Sequence, residues 1–198
     1  NKFMKRSIQT IVYLPNFLSW VILATVVVNI FSYEGPINAV LEMLGIEPIL
    51  FMASNKWFRS VLIVTDVWKG FGYGAIIYLA ALSGIDPGLY EAAAIDGANR
   101  FKRVWHITLP GILPTIMLVT IMNLPNVLNA GFDQIFNLYN PLVMETADII
   151  DTWVYRVGLV ERQYSLGTAV GLLRSIVGII LMLSANKIAQ KVTDYRIF

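Results

Sequence analysis

The sequence predicts an all-α protein that crosses a membrane several times. Three observations lead there. Of its 198 residues, 57% are hydrophobic and only 14% are charged, whereas soluble domains carry roughly a quarter charged residues. Mean hydropathy is +0.64. Four long apolar stretches recur along the chain, each close to the about 20 residues that carry a helix across a bilayer core.

Composition also excludes several classes. The net charge is only +2 and no basic block occurs, so nucleic acid is not an expected partner. With no cysteine and a single histidine, His106, the chain offers neither disulfides nor a cysteine- or histidine-rich metal site. The basic-then-apolar start resembles a signal peptide. Its apolar run is longer than a signal core, however, and lacks a small-residue cleavage pattern.

The first expected span covers residues 11–31, the second 61–82, the third 111–129 and the fourth 166–185. The runs are too long and continuous for the alternating strands of a barrel, which leaves helices as the spanning element. Lys2, Lys5 and Arg6 precede the first span, Arg100, Lys102 and Arg103 separate the second from the third, and Lys187, Lys191 and Arg196 follow the fourth. All nine fall on one side if every span crosses, and the opposite loops hold only Lys56, Arg59, Arg156 and Arg162. The excess of basic residues marks the cytoplasmic side, so both termini of this chain are expected there. Trp57, Trp105 and Trp153 sit near the boundaries, where interfacial anchors belong. The two outer loops each carry a short helix: "PINAVLEMLG" at 36–45, with proline near its start and glycine past its end, and "TADIIDTWVYR" at 146–156. No low-complexity tract or solenoid-period repeat is visible, so residues 1–198 read as a single transmembrane domain.

The segment 84–110 breaks the apolar pattern. Asp86 is placed to cap a helix, Pro87 suits its first position, and Gly97 can adopt the left-handed conformation that ends it. The Ala92–Ala94 run makes this helix a slim rod that fits a groove better than it builds a core. After Gly97 the chain turns into "ANRFKRVWHI" and enters the third span at "TLP". A helix–glycine–helix elbow rigidly joined to a membrane helix has the shape of a mechanical coupling. Read without a partner, it is an ordinary amphipathic helix on the membrane surface.

Polar residues inside the spans form the second candidate site. Asp66, Lys69 and Tyr73 share one helical face of the second span, and Arg174 sits midway along the fourth. Asn123, Asn126 and Asn129 recur every third residue, with Asp133 and Gln134 beyond and Pro125 loosening the helix between. Buried ionisable groups face a bundle interior or water. Such a stripe either lines a path offering hydrogen bonds to a polar solute, with Lys69 and Arg174 suited to an acidic one, or bridges helices, Asp66 pairing with Lys69. The glycine pairs Gly70/Gly74 and Gly167/Gly171 read as helix-packing positions; "GFGYG" has no strand before it and is no dinucleotide loop. There is no GxxxxGK[ST] motif, no HExxH and no nucleophile–base pair, so the chain is not expected to hold an ATP site or to act as an enzyme.

"EAA" at 91–93, glycine at 97 and "ITLP" at 107–110 match the spacing EAA-x3-G-x9-I-x-LP without a gap. The chain thereby resembles the permease subunits of bacterial ATP-binding-cassette importers. "YLPNFLSWVI", "GYGAIIYLAALSGIDP", "HITLPGILPTI", "NPLV", "DTWVYRVGL" and "SLGTAVGLLRS" are similar to the oligosaccharide branch, which includes alginate and aldouronate permeases. The resemblance runs from about residue 5 to the C-terminus. It implies a type I importer permease fold in the bacterial plasma membrane, this chain corresponding to the C-terminal two-thirds of a subunit that carries at least two further spans upstream. It implies that Glu91, Ala92, Ala93, Ile95, Asp96, Gly97, Leu109 and Pro110 belong to a coupling element docking in a cleft of a cytoplasmic ATPase. The implied partners are a second homologous permease, two ATPase subunits, an extracytoplasmic solute-binding protein and the bilayer. No cofactor is expected on this chain, ATP and magnesium being bound by the ATPases. A permease for another solute class, and an ATP-independent channel or scaffold, are the rival readings.

Overall fold

In the computed structural model, residues 2–193 are described; they are overwhelmingly helical, with no strand among them. Arg196 lies outside the described residues, as do the side chains of Lys2, Lys5, Arg6 and Lys191. Helices Asn55–Ser83, Arg100–Asn123 and Tyr164–Lys187 are long and apolar enough to cross a membrane. The expected first span differs from these. Helix α1 (Lys2–Phe17) stops and α2 (Trp20–Ile30) restarts, with a bend of 114° between Gln9–Phe17 and Trp20–Ile30. The hydroxyl of Ser19 caps the restart by accepting the Ile22 N–H at 3.4 Å. "LPNFLSW" is locally explicit about this: Pro15 removes one helical donor and Ser19 is a cap.

The chain forms two compact units. The first comprises Asn1–Tyr73 and Asn129–Leu172. It holds α1, α2, the short α3 (Pro36–Met43), a 3₁₀ turn at Phe51–Ala53 and the first part of α4 (Asn55–Ser83). Its core is Val27, Phe58, Val61, Leu138 and Val143, with Phe51 edge-on to Phe31 and Trp57 at 5.5 and 5.6 Å. These residues come from both outer loops as well as the helices, so the loops close over a shared core instead of acting as linkers.

Backbone hydrogen bonding explains how irregular chain can be buried there. Asn38 is 1% exposed and acts as a buckle. Its amide donates to the carbonyls of Ser32 and Ile49 at 3.0 Å each, and its oxygen accepts the Ile49 N–H at 2.8 Å. Asn140 donates to the Met52 carbonyl at 2.8 Å, and Thr146 donates to Asn55 at 2.8 Å. Buried peptide groups in a loop need such partners because water cannot reach them. The expected second outer helix is split: α9 (Met144–Ala147) ends before Asp148, and α10 (Ile150–Val154) runs on into a π-helical turn at Tyr155–Val160. Preceding it, α8 (Phe132–Leu138) packs against α2.

The second unit comprises Gly74–Leu128 and Leu173–Phe198. It contains the end of α4, α5 (Pro87–Ile95), α6 (Arg100–Arg103), a π-helical turn at Val104–Thr108 and α7 (Leu109–Asn123). The Leu109 N–H reaches back to the Val104 carbonyl, the wide bond of a π turn. This turn sits just ahead of Pro110 and Pro114, which cannot donate and would crowd a regular ladder. After Asn123 the helix tightens into a 3₁₀ segment, Leu124–Leu128. The last helix, α11 (Tyr164–Thr193), runs from the first unit into the second.

Of the expected glycine contacts, Gly167 meets Gly158 of the π turn, where a Cβ would lie 3.2 Å from the Gly158 Cα. A Cβ at Gly70 or Gly74 would meet open space. Neither position meets another helix among the described residues of this chain.

Replacing Asn38 by leucine leaves the Ile49 N–H and two carbonyls without their amide partner. Each such group costs about 1–3 kcal/mol. Asn38→Leu should lower the thermal unfolding midpoint of the purified membrane protein, with a loss of about 3 kcal/mol or more; an unchanged midpoint would mean the outer loops hold together without the buckle.

Candidate functional site

Two places in the fold combine accessibility with chemistry. The first is a cavity of about 470 Å³ in the first unit. Arg59, Asp66, Asn129 and Gln134 bring polar groups to it, and Leu62 and Ile135 supply apolar wall. Arg59 and Asp66 are seven residues apart on α4, two helical turns or about 10 Å along the axis. The cavity therefore presents a guanidinium and a carboxylate from one helix and the Asn129 amide from another segment, with apolar surface beside them. That mixture suits a molecule with many hydroxyls and apolar C–H faces.

Gln134 is buried and anchors α8 to α4: its amide donates to the Leu62 carbonyl at 2.8 Å and to the Thr65 hydroxyl at 2.9 Å. Its role at the cavity is thus partly to fix the wall. Ile149, also at the cavity, is held by a neighbouring network. The Ile149 N–H donates to the Thr152 hydroxyl at 2.9 Å, and that hydroxyl lies 2.6 Å from Asp148 as donor. Arg156 grips the same carboxylate with two parallel bonds of 2.8 and 2.6 Å. Arg156's hydrogen bond, helped by Thr152, holds the Asp148 carboxyl below the usual carboxylate range, against the opposing effect of burial.

The second place is α5. Asp86 caps it, accepting the Gly88 N–H at 2.9 Å, with Pro87 in the first turn. It ends in a Schellman motif: Ala98 N–H bonds the Ala93 carbonyl at 2.9 Å and Gly97 N–H the Ala94 carbonyl at 3.2 Å. Gly97 has φ +73°, which is why only a residue without Cβ is at ease there. No residue of α5 is buried, and Ile95 is 88% exposed. Glu91, Ala92, Asp96 and Gly97 are exposed, whereas Ala93 is half-buried. Two contacts tie this rod to the start of α7: Tyr90 OH meets the Thr108 hydroxyl at 2.9 Å, and the Ile85 side chain sits against Gly111, 2.9 Å from where a Cβ would be.

An exposed, glycine-terminated helix is thus strapped to a membrane helix. Residues 1–194 match the model of the binding-protein-dependent transport system inner membrane component. The chain belongs to that family.

Its relatives among these inner membrane components include protein LplB of Bacillus subtilis (strain 168), 44% identical over 195 residues, which cover 98% of this chain and 61% of LplB. The polygalacturonan/rhamnogalacturonan transport system permease protein YteP of the same organism is 40% identical over equal coverage, 98% and 61%. The chain thus spans about three-fifths of the length of these relatives. Among solved structures, a bacterial ABC transporter involved in the import of the acidic polysaccharide alginate matches with TM-score 0.93 and 40% identity, covering 98% of this chain and 68% of that one. A bacterial alginate ABC transporter in complex with alginate pentasaccharide-bound periplasmic protein matches with TM-score 0.94 and 39% identity, covering 100% and 69%.

Within this inner membrane component, the polar residues singled out in the spans part company. Asp66, Asn129 and Gln134 come together at the cavity. Lys69 turns away to the carbonyls of Pro15, Asn16 and Leu18. Tyr73 and Asp133 are exposed. Asn123, Asn126 and Arg174 belong to the second unit, where Asn123 donates to the Val119 carbonyl at 2.9 Å and Asn126 to Asn123 at 3.5 Å. The three-residue asparagine spacing falls where the helix becomes 3₁₀, whose period is three. Arg59, which the sequence reads only as loop charge, also lines the cavity, seven residues from Asp66 on the same helix.

The Asp148 network has a pH signature. A carboxyl depressed in the folded state contributes stability that is complete above the unfolded value of about 3.9 and lost as pH falls through the folded value. Asp148→Asn should therefore lower the unfolding midpoint near neutral pH, with the gap to wild type closing under acid conditions below about pH 4. A gap that stays constant on acidification would remove Arg156 pairing as the cause.

Proposed function

We propose that this chain forms part of the permease subunit of an ATP-driven importer for an oligosaccharide or sugar derivative, with α5 as the element that docks on the ATPase. The observation that carries this is the state of α5: none of its residues is buried, yet both ends are fixed, by Asp86 at the start and Gly97 at the end. A helix so well specified and so little packed is complete only with a partner. Ile95 and Leu89 supply the apolar contact, and the alanines allow a close approach.

The mechanism follows from the links already described. Closure of the ATPases on ATP moves α5. Tyr90–Thr108 and Ile85–Gly111 pass that displacement to the π turn and the start of α7, which Leu109 and Pro110 open. The Schellman cap at Gly97 keeps the elbow from yielding. ATP and magnesium belong to the ATPase partners; a second homologous permease and an extracytoplasmic solute-binding protein complete the assembly. Both termini and α5 face the cytoplasm in the bacterial inner membrane, as the basic flanks require.

The cavity serves the saccharide. Asn129 and Asp66 provide hydrogen-bond partners for hydroxyls, and Arg59 provides a bidentate partner for a uronate carboxylate. The names of the relatives, which specify galacturonan and alginate, fit that chemistry and favour sugars over other solute classes.

Two experiments in the full-length protein with its partner subunits test this. Gly97→Pro forces φ near −65° where the chain needs a positive value. It should abolish uptake while ATP hydrolysis continues, at unchanged abundance; normal uptake would end the docking role. Arg59→Gln should weaken uptake of an acidic oligosaccharide about tenfold or more and that of a neutral one by less than about threefold, as expected for the loss of one charged bidentate contact. Equal losses would take Arg59 out of substrate recognition.

A further inference from the structure

We infer that Lys69 is a positioning residue that fixes the break between α1 and α2, and through it the direction of α1 against α4. An ammonium group has three donors and no acceptor. Here it meets three carbonyls at the broken end of α1: Pro15 at 3.2 Å, Asn16 at 3.3 Å, and Leu18. It also stands over the Trp20 ring, 5.6 Å from the centroid. All of these groups lie within the first unit.

The chemistry explains why a lysine stands there. Carbonyls at the end of a helix lack helical donors and carry the negative end of the helix dipole, so a cation is favoured. In a span no water is on hand to replace it. Of the three carbonyls, Pro15 also accepts the Leu18 N–H, at 3.3 Å. The Trp20 ring adds a cation–π contact at the first residue of α2. One group thus touches the last turn of α1, the connection and the first turn of α2.

A second contact, one turn further along α4, gives the arrangement its direction. Gly72 is buried, and a Cβ there would lie 2.3 Å from the Val12 carbonyl and 2.9 Å from the Tyr13 ring. Backbone meets backbone at that point. Lys69 and Gly72 share a face of α4 by their spacing of three. The glycine brings α1 against α4, and the lysine fixes how far the chain turns before α2 begins. An internal pair with Asp66 would leave the broken end open; Asp66 instead lies at the cavity.

The test reads the angle itself. In the full transporter complex, with other cysteines removed, nitroxide labels at Ile11→Cys on α1 and Val26→Cys on α2 bracket the break, both sites being exposed. Wild type should give one narrow distance distribution by pulsed electron resonance. Lys69→Met keeps length and apolar stem but cannot donate, and should broaden that distribution to about twice its width or more as the break samples several angles. Lys69→Arg keeps the charge but has a planar fork unsuited to three converging carbonyls, and should fall between the two. If Lys69→Met does not accumulate, Trp20→Leu leaves the carbonyl contacts and removes only the ring, with a smaller broadening expected. A distribution of wild-type width in Lys69→Met, or in Trp20→Leu where that variant is the one that accumulates, would overturn the assignment and leave Lys69 as a space-filling residue. The outcome does not depend on what the complex transports.

Discussion

A peptide group cut off from water must find its hydrogen-bond partner in the protein, and this constraint runs through the breaks and loops of the described residues. Continuous helices satisfy it without help, which is why α4 and α11 run for 29 and 30 residues. Each departure from regular helix carries its own remedy. The break after α1 has Lys69 and the Ser19 cap. The prolines at the start of α7 have a π turn ahead of them. The outer loops, which hold the shared core, have Asn38 and Asn140 bonded to their backbone. Asn38, Asn140, Gln134 and Lys69 all spend amide or ammonium donors on backbone carbonyls.

At the cavity the polar groups are arranged differently. Arg59 and Asp66 project from one helix beside Asn129, and the wall behind them is fixed by Gln134 and by the Asp148–Thr152–Arg156 network. A saccharide path needs polar groups held at fixed positions, because hydroxyl recognition depends on geometry more than on charge. The other functional element works by the opposite strategy. Helix α5 has no buried residue and acquires its rigidity from its caps and from the Tyr90 and Ile85 contacts. In the proposed reading, one site is stabilised from within and the other is left open for a partner.

Much of this was legible in the sequence, and the reasons are local. Asp86, Pro87 and Gly97 encode α5 within a dozen residues, and capping chemistry is short-range. The spans are legible because length and hydropathy are summed properties. The 114° bend was harder: Pro15 and Ser19 were present as signals, but an apolar run hides a break within it. Lys69 could not be placed from its own helix, since its three partners lie more than 50 residues away. Helical periodicity put Lys69 with Asp66 and Tyr73; packing against α1 separated them. The asparagine spacing misled for a related reason, because it assumed one period where the backbone changes from α to 3₁₀. Contacts distant in sequence, rather than chemistry, are what the one-dimensional reading lacked.

The central claim is that α5 is a docking element for an ATPase. The most direct measurement is cross-linking in the assembled complex, with a cysteine at Ala93 and cysteines along the ATPase cleft. The account predicts a disulfide whose yield changes when ATP binds, because α5 sits in the cleft and moves with the ATPase, and Ala93 is only half-buried by its own chain. Absence of any cross-link in an intact, folded complex, with cysteines placed throughout the cleft, would contradict it and return α5 to the membrane surface.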